Sequence, residues 1–271
     1  MDATNRQDKK QTAGVKLLNT IFFFTTVLSL CAFSNADNFD KVKTIVFAGD
    51  SITDGAWGGG NGTKLPTAKR DQSDLNHIFG HSYMMLCASR LMADHPEQGL
   101  KFYNRGISAN TLANLEERWD SDVLSLSPDM ISILIGSNDV HFFLEADSEE
   151  EFDFKDWESR YRTLLDRALK TNPKVKFFIG TPFTAPTGKA GQSENYQERK
   201  ALLKQMNRVI TEIAKDYNAT LLSYDDMFEG LYEKYPEVSA SYWIWDGIHP
   251  TPAGHQAMAD LWLQNYNREY K

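Results

Sequence analysis

Five short strand-like runs punctuate the chain: 44–48 (TIVFA), 101–104 (KFYN), 130–135 (MISILI), 175–179 (VKFFI) and 220–223 (TLLS). The first and third are nearly continuously apolar, the pattern of a strand covered on both faces. Helical patterns separate and follow them, at roughly 78–94, 111–125, 155–171, 194–217 and 252–268. In the fourth, Leu203, Met206, Ile210 and Ile213 keep the three-to-four spacing of one buried face, and Arg199, Lys200, Lys204 and Arg208 fill positions between them. Regular strand–helix alternation predicts an α/β fold with a parallel five-stranded sheet and helices on both sides. After Asp37 there is no Pro/Ser-rich linker, low-complexity tract or internal repeat, so 37–271 reads as a single domain, within the size one α/β core supports. Ligands of such sheets sit at the carboxyl ends of the strands, and the residues following each run are the first candidates for chemistry.

The segment ahead of the first strand has a different character. Residues 17–33 (LLNTIFFFTTVLSLCAF) carry no charge, follow Lys9, Lys10 and Lys16, and lead into Ser34-Asn35-Ala36. A basic start, an apolar stretch and small residues at the −3 and −1 positions are the order of a signal peptide cleaved after Ala36, making 1–36 a leader and the protein secreted or periplasmic. A retained anchor is the rival reading, although the run is marginal for about 30 Å of hydrocarbon. Lipidation at Cys31 is a third, disfavoured by bulky Leu30 before it. Removal of the leader takes away four basic residues (Arg6, Lys9, Lys10, Lys16) and two acidic ones (Asp2, Asp8), moving the net charge from −8 to −10. It also leaves Cys87 as the only cysteine, in an apolar helical stretch where it reads as a small core residue. An acidic chain without a basic tract argues against nucleic acid or an anionic membrane surface as partner. With 41% hydrophobic and 12% aromatic residues it is no disordered chain, and with two cysteines in all it is no disulfide scaffold.

At the strand ends stand Gly49-Asp50-Ser51-Ile52-Thr53-Asp54-Gly55, then Asn104-Arg105-Gly106-Ile107-Ser108, then Gly136-Ser137-Asn138-Asp139, and late in the chain Trp245-Asp246-Gly247-Ile248-His249-Pro250. A serine, a small-residue turn, an asparagine and an Asp-x-x-His pair therefore meet on one edge of the sheet. Those residue types suit acyl transfer: a histidine activates a serine hydroxyl, an acid fixes the histidine's tautomer and stabilises its cation, and N–H donors stabilise the oxyanion. The N–H groups of Ser51 and Gly106 and the amide of Asn138 are the expected donors; a glycine at 106 lets substrate approach the backbone.

On these motifs the chain resembles the SGNH (GDSL) hydrolase superfamily of serine esterases, acetylesterases and lysophospholipase-like enzymes. Ser51 stands in the Gly-Asp-Ser block, Gly106 in the second, Asn138 in the Gly-x-Asn-Asp block and His249 in Asp-x-x-His-Pro, with Asp246 as the triad acid. The resemblance spans about 44–260, and Ile52 where the namesake motif has Leu is an apolar exchange. It implies a flavodoxin-like three-layer sandwich, catalytic roles for Ser51, Gly106, Asn138, Asp246 and His249, and no cofactor or metal.

Each residue also has a plainer reading. Ser51 suits a helix N-cap, Asn138 and Gly106 suit turns, and Asp50 and Asp139 suit loop support by hydrogen bonding. Other motifs fall away. In Gly58-Gly59-Gly60-Asn61-Gly62-Thr63-Lys64, Thr63 parts the glycine from the lysine and no strand precedes, so no phosphate loop is expected. His77 and His81, spaced i and i+4, lack a third ligand for a metal. Thr53 replaces the second glycine of the α/β-hydrolase nucleophile elbow.

The substrate is read from the loops. The stretch 56–80 directly follows Ser51 and reads either as a mobile surface loop or as a wall of the substrate cleft. Tyr242, Trp243 and Trp245 precede Asp246 and suit either core packing or stacking on sugar rings. The resemblance and the leader together point to hydrolysis of short O-acyl esters, acetyl above all, of carbohydrates. A lysophospholipase or thioesterase on longer acyl chains, and a non-catalytic carbohydrate-binding protein on the same fold, are the alternatives.

Overall fold

The computed structural model describes residues 42–59, 64–146 and 150–270; the leader-like segment 1–36 lies outside them. The chain runs β1 (Thr44–Gly49), α1 (Ser51–Asp54), α2 (Tyr83–Asp94), β2 (Lys101–Gly106), α3 (Leu112–Glu117), β3 (Met130–Leu134), α4 (Ser137–Glu145), α5 (Phe154–Thr171), β4 (Lys176–Gly180), α6 (Gly188–Gly191), α7 (Tyr196–Asp216), β5 (Thr220–Leu222), α8 (Tyr224–Lys234) and α9 (Pro252–Tyr270). The strands form one parallel sheet in the order β2-β1-β3-β4-β5. All five expected strands are present within a few residues of their expected ends.

The continuous apolar runs divide by parity. On β1, Ile45 and Phe47 join a core layer with α2, α8 and α9, while Val46 and Ala48 face the opposite layer with α3, α5 and α7. Period-two alternation puts successive side chains on opposite faces, so a strand covered twice needs apolar residues at every position. A buried tryptophan anchors the first side. Trp262 of α9 is fully buried, its ring centroid 5.2 Å from Phe47, 5.1 Å from Phe178 and 5.3 Å from Tyr266. Its indole N–H donates to Ser132 Oγ at 3.1 Å, which satisfies the one hydroxyl in the middle of β3.

Register decides where the chemistry falls. Gly49 pairs with Gly106 on one side and Leu134 on the other, so β1, β2 and β3 end level. The chain leaves β1 for β2 at one side and reaches β3 at the other, which makes the carboxyl end of β1 the switch point where a crevice opens.

Four helical features differ from the sequence expectation. The pattern at 111–125 is not one helix: it is α3, a π turn at Trp119–Val123 and a 3-10 turn at Leu124–Leu126. The helix expected from 78 starts at Tyr83, because Gly80 takes a left-handed φ of +70° and packs against the Gly55 carbonyl. Helices α4 and α8 occupy stretches where no helix is expected from the sequence pattern. Among the described residues no helix is long and apolar enough to cross a membrane.

Truncating Trp262 to alanine removes a fully enclosed indole and its hydrogen bond to Ser132 Oγ. The expected loss is about 3–5 kcal/mol of unfolding free energy, read as a lower denaturation midpoint in urea.

Candidate active site

The first turn after β1 is set by Asp50. Its Oδ1 accepts the Ile52 N–H at 3.0 Å and caps α1, a single turn that ends at Gly55 in the left-handed region. Ser51 opens that turn and lines the crevice. Ser51 Oγ lies 2.7 Å from His249 Nε2, and His249 Nδ1 lies 2.7 Å from Asp246 Oδ2. The other Asp246 oxygen accepts the N–H groups of Ile248 at 3.0 Å and His249 at 2.7 Å. The carboxylate thus folds its own four-residue loop and aims the imidazole in one stroke. An unpredicted segment clamps the loop from behind: Ala185 N–H and Thr184 Oγ1 donate to the Gly247 carbonyl, and Ala190 N–H to that of Asp246. Gly247 has a φ of +94°, and a Cβ there would meet the Thr187 carbonyl and the Gly191 nitrogen at 2.7 Å.

The electrostatics follow from these contacts. Burial alone would raise the Asp246 carboxyl, but the bonds from the His249 ring and backbone hold it below its ordinary value. Burial would lower His249, but the hydrogen bond and charge of Asp246, with Asp50 behind, raise it above the ordinary 6.5. His255 is the contrast: burial, helped by His81 and His249, pushes it down to about 4, and its Nδ1 accepts the Tyr83 N–H at 3.2 Å. An imidazole between a hydroxyl and a carboxylate can take a proton from the first while the second stabilises the cation.

Asn138 and Asp139 open α4 beside this set. Asn138 Nδ2 donates one hydrogen to the Asn110 carbonyl at 3.0 Å, which fixes the amide and leaves its second hydrogen. Asp139 supports the loop, as its residue type suggested: it accepts the Leu112 N–H at 3.0 Å and the Trp157 indole N–H at 3.0 Å, and burial pushes its carboxyl up to about 6. Burial likewise pushes Asp50 up to about 7.

Gly106 is placed differently from its expected role. Its N–H donates to Asn104 Oδ1 at 2.9 Å and its carbonyl accepts the Trp57 indole N–H at 2.8 Å. A Cβ at 106 would lie 2.3 Å from Asp54 N. The glycine is there for close backbone packing, and its N–H is already engaged. In the same turn Ile107 N–H donates to Gly49 O, Ser108 N–H to Asp54 Oδ2 and Asn110 N–H to Ile107 O. Among the described residues the N–H of Ala109, a non-glycine residue at φ +65°, is the one in this turn without a protein acceptor. No sequence signal marks it.

The described parts of the stretch, 56–59 and 64–80, are anchored to the edge. Arg70 reaches back to Asp54 with two bonds, at 2.5 Å and 2.9 Å, both side chains fully buried. Its guanidinium lies 4.7 Å from the ring of Trp57, itself fully buried. With Gly55, Ala56, Gly59, Asp74, His77 and His81 the stretch walls one side of a cleft of about 760 Å³; Ser51, Ser108, Trp245 and His249 complete the lining. That volume is in the range of small-molecule sites, about 300–1,000 Å³. Trp245 is 60% exposed, while Trp243 packs against Tyr235 and Tyr242. Among the described residues no three His, Cys, Asp or Glu side chains gather as metal ligands.

Comparison with known proteins fits this geometry. The chain is 31% identical to an acetylxylan esterase of Geobacillus stearothermophilus over 84% of its own length and 95% of the relative's. The crystal structure of the Geobacillus stearothermophilus acetylxylan esterase Axe2 superposes with a TM-score of 0.67 at 26% identity, covering 86% of this chain and 98% of that one. A candidate GDSL-like lipase from Parabacteroides merdae superposes with a TM-score of 0.70 at 28% identity, covering 85% and 98%. Catalytic mutants of Axe2 replace a serine, an aspartate and a histidine, the last two three positions apart. The model of the GDSL-like lipase/acylhydrolase family matches residues 47–257. This protein belongs to that family and is a carboxylic ester hydrolase.

Proposed function

We propose that the enzyme is a serine esterase that removes short O-acyl groups, acetyl above all, from an oligo- or polysaccharide outside the cytoplasm. The observation that carries the reading is the continuous chain Ser51 Oγ, His249 Nε2, His249 Nδ1, Asp246 Oδ2, with 2.7 Å at both hydrogen bonds. The likeness to an acetylxylan esterase supports the acetyl and carbohydrate parts, and the leader-like segment 17–36 supports the location.

In this mechanism His249 takes the Ser51 proton as the hydroxyl oxygen attacks the ester carbonyl. The oxyanion is held by the Ser51 N–H at the open start of α1, by the second Asn138 Nδ2 hydrogen and, in place of Gly106, by the Ala109 N–H. The imidazolium then protonates the departing sugar oxygen, making it a hydroxyl, as the C–O bond breaks and the acyl-enzyme forms. Water gives its proton to His249 and its oxygen to the acyl carbon, releasing acetate and restoring Ser51.

Three outcomes test this. On 4-nitrophenyl esters from two to twelve carbons the enzyme should prefer acetate, and preference for eight carbons or more would move the reading to lipid or thioester substrates. Ser51→Ala should lower kcat by several orders of magnitude and Asn138→Ala by roughly 10²–10³; wild-type rates in Ser51→Ala would end the mechanism. The base must be neutral, and Asp246 raises its pKa. The acid limb of the kcat/KM profile should therefore lie above pH 6.5 and move down in Asp246→Asn, with a kcat loss of roughly 10³–10⁴.

A further inference from the structure

The cleft holds a second aspartate–histidine pair that the triad does not use. His77 Nδ1 lies 2.6 Å from Asp74 Oδ2, and both residues line the same cleft as Ser51, His249 and Trp245. The pair is built rather than incidental. Asp74 Oδ1 accepts the Asn76 N–H at 2.9 Å, so the carboxylate is tied on both oxygens. The His77 carbonyl accepts the N–H groups of Gly58 at 2.7 Å and Gly80 at 3.1 Å, which ties the position to both ends of the inserted wall. Gly58 sits at φ +68°, where a Cβ would press on Arg70 Cβ and the Asp71 carbonyl, so that wall is seated directly on the Arg70–Asp54 anchor.

The bonding fixes the chemistry presented to the cleft. The His77 and Asn76 bonds hold the Asp74 carboxyl below its ordinary value, so it is a carboxylate at neutral pH. A carboxylate only accepts, so His77 presents its Nδ1 hydrogen to Asp74, and in that tautomer Nε2 carries the lone pair. No protein group among the described residues engages Nε2. The result is a hydrogen-bond acceptor held at a fixed place, facing the cleft with Trp245. Indole stacks on the apolar face of a pyranose, and a lone pair receives a hydroxyl.

We infer that Asp74 and His77 form a subsite for the sugar side of the ester, with His77 Nε2 accepting a hydroxyl of the pyranose that leaves when Ser51 is acylated and Trp245 covering the ring's apolar face. The inference rests on the carbohydrate-esterase reading and adds to it where the leaving sugar binds. It also gives the inserted wall a task separate from the triad: the triad recognises the acyl carbonyl, and the dyad recognises what the carbonyl is attached to.

The test compares two substrates with the same acyl group. Acetylated xylo-oligosaccharide presents a sugar to the dyad, and 4-nitrophenyl acetate does not. His77→Ala should lower the ratio of kcat/KM on the oligosaccharide to that on 4-nitrophenyl acetate by roughly three- to tenfold, the effect of one hydrogen bond, chiefly through KM. His77→Gln, which can present an amide oxygen, should recover part of the ratio. Asp74→Asn, which releases the tautomer, should lower it. Equal losses on both substrates would make the pair a support of the triad or the fold and overturn the assignment. An unmoved ratio in an enzyme active on both substrates overturns the dyad alone. A wild type that cleaves 4-nitrophenyl acetate but no acetylated oligosaccharide overturns the carbohydrate reading and the subsite with it.

Discussion

The active edge depends on one buried carboxylate. Asp54 closes the turn that carries Ser51, and its two oxygens receive the Arg70 guanidinium together with the N–H and hydroxyl of Ser108 at 2.9 Å each. Three segments therefore meet on one side chain: the Ser51 turn, the wall of 56–80 and the turn after β2. Removing one partner of a fully buried ion pair leaves an uncompensated charge, at a cost of about 3–5 kcal/mol. The inserted wall is for that reason part of the edge and not an appendage of it.

A second cation does the same for the other half. Arg118 donates to Asn110 Oδ1 at 2.8 Å, to the Arg105 carbonyl at 2.8 Å and to the Gly49 carbonyl at 3.2 Å. It thereby ties the β2 turn to the end of β1 and holds the residue whose carbonyl receives Asn138. Burial lowers the Arg118 pKa, with the Asp122 charge opposing; at 3.1 Å Asp122 compensates the guanidinium inside the protein. The two arginines act as brackets: planar, multidentate donors that satisfy several backbone carbonyls at once, a geometry lysine cannot reproduce.

Much of this was legible in the sequence, for physical reasons that differ from residue to residue. The strands were legible because double burial forces unbroken apolar runs, and their ends pointed to Ser51 and Asn138. Asp246 and His249 were legible because an Asp-x-x-His contact is local: the same carboxylate that bonds the ring also bonds the loop's own N–H groups. The position of Gly106 was legible but not the engagement of its N–H, which depends on Asn104 and on the backbone of Asp54, 52 residues earlier in the chain. Helix α4 escaped because its first turn, Ser137-Asn138-Asp139, reads as a polar loop, and Phe142 on it is 40% exposed. The anchoring of 56–80 escaped because a glycine-rich, charged stretch looks solvated until Arg70 is seen to find Asp54.

The same contrast separates two kinds of precision in the cleft. Ser51 and Asn138 follow the ends of β1 and β3, whose register is fixed by buried side chains on both faces, so their placement is inherited from the core; Asp246 and His249 sit on a loop held by Thr184, Ala185 and Ala190. Asp74 and His77 stand instead on a wall fixed at a few points: Arg70 on Asp54, Gly58 against His77, Gly80 against Gly55. Between those points the wall can change without disturbing β1, β2 or β3, because no sheet residue lies in it. The sheet edge and the attached wall are thus two separate supports of one cleft. The wall side of the cleft can therefore change in shape while the distances from Ser51 to His249 to Asp246 stay the same.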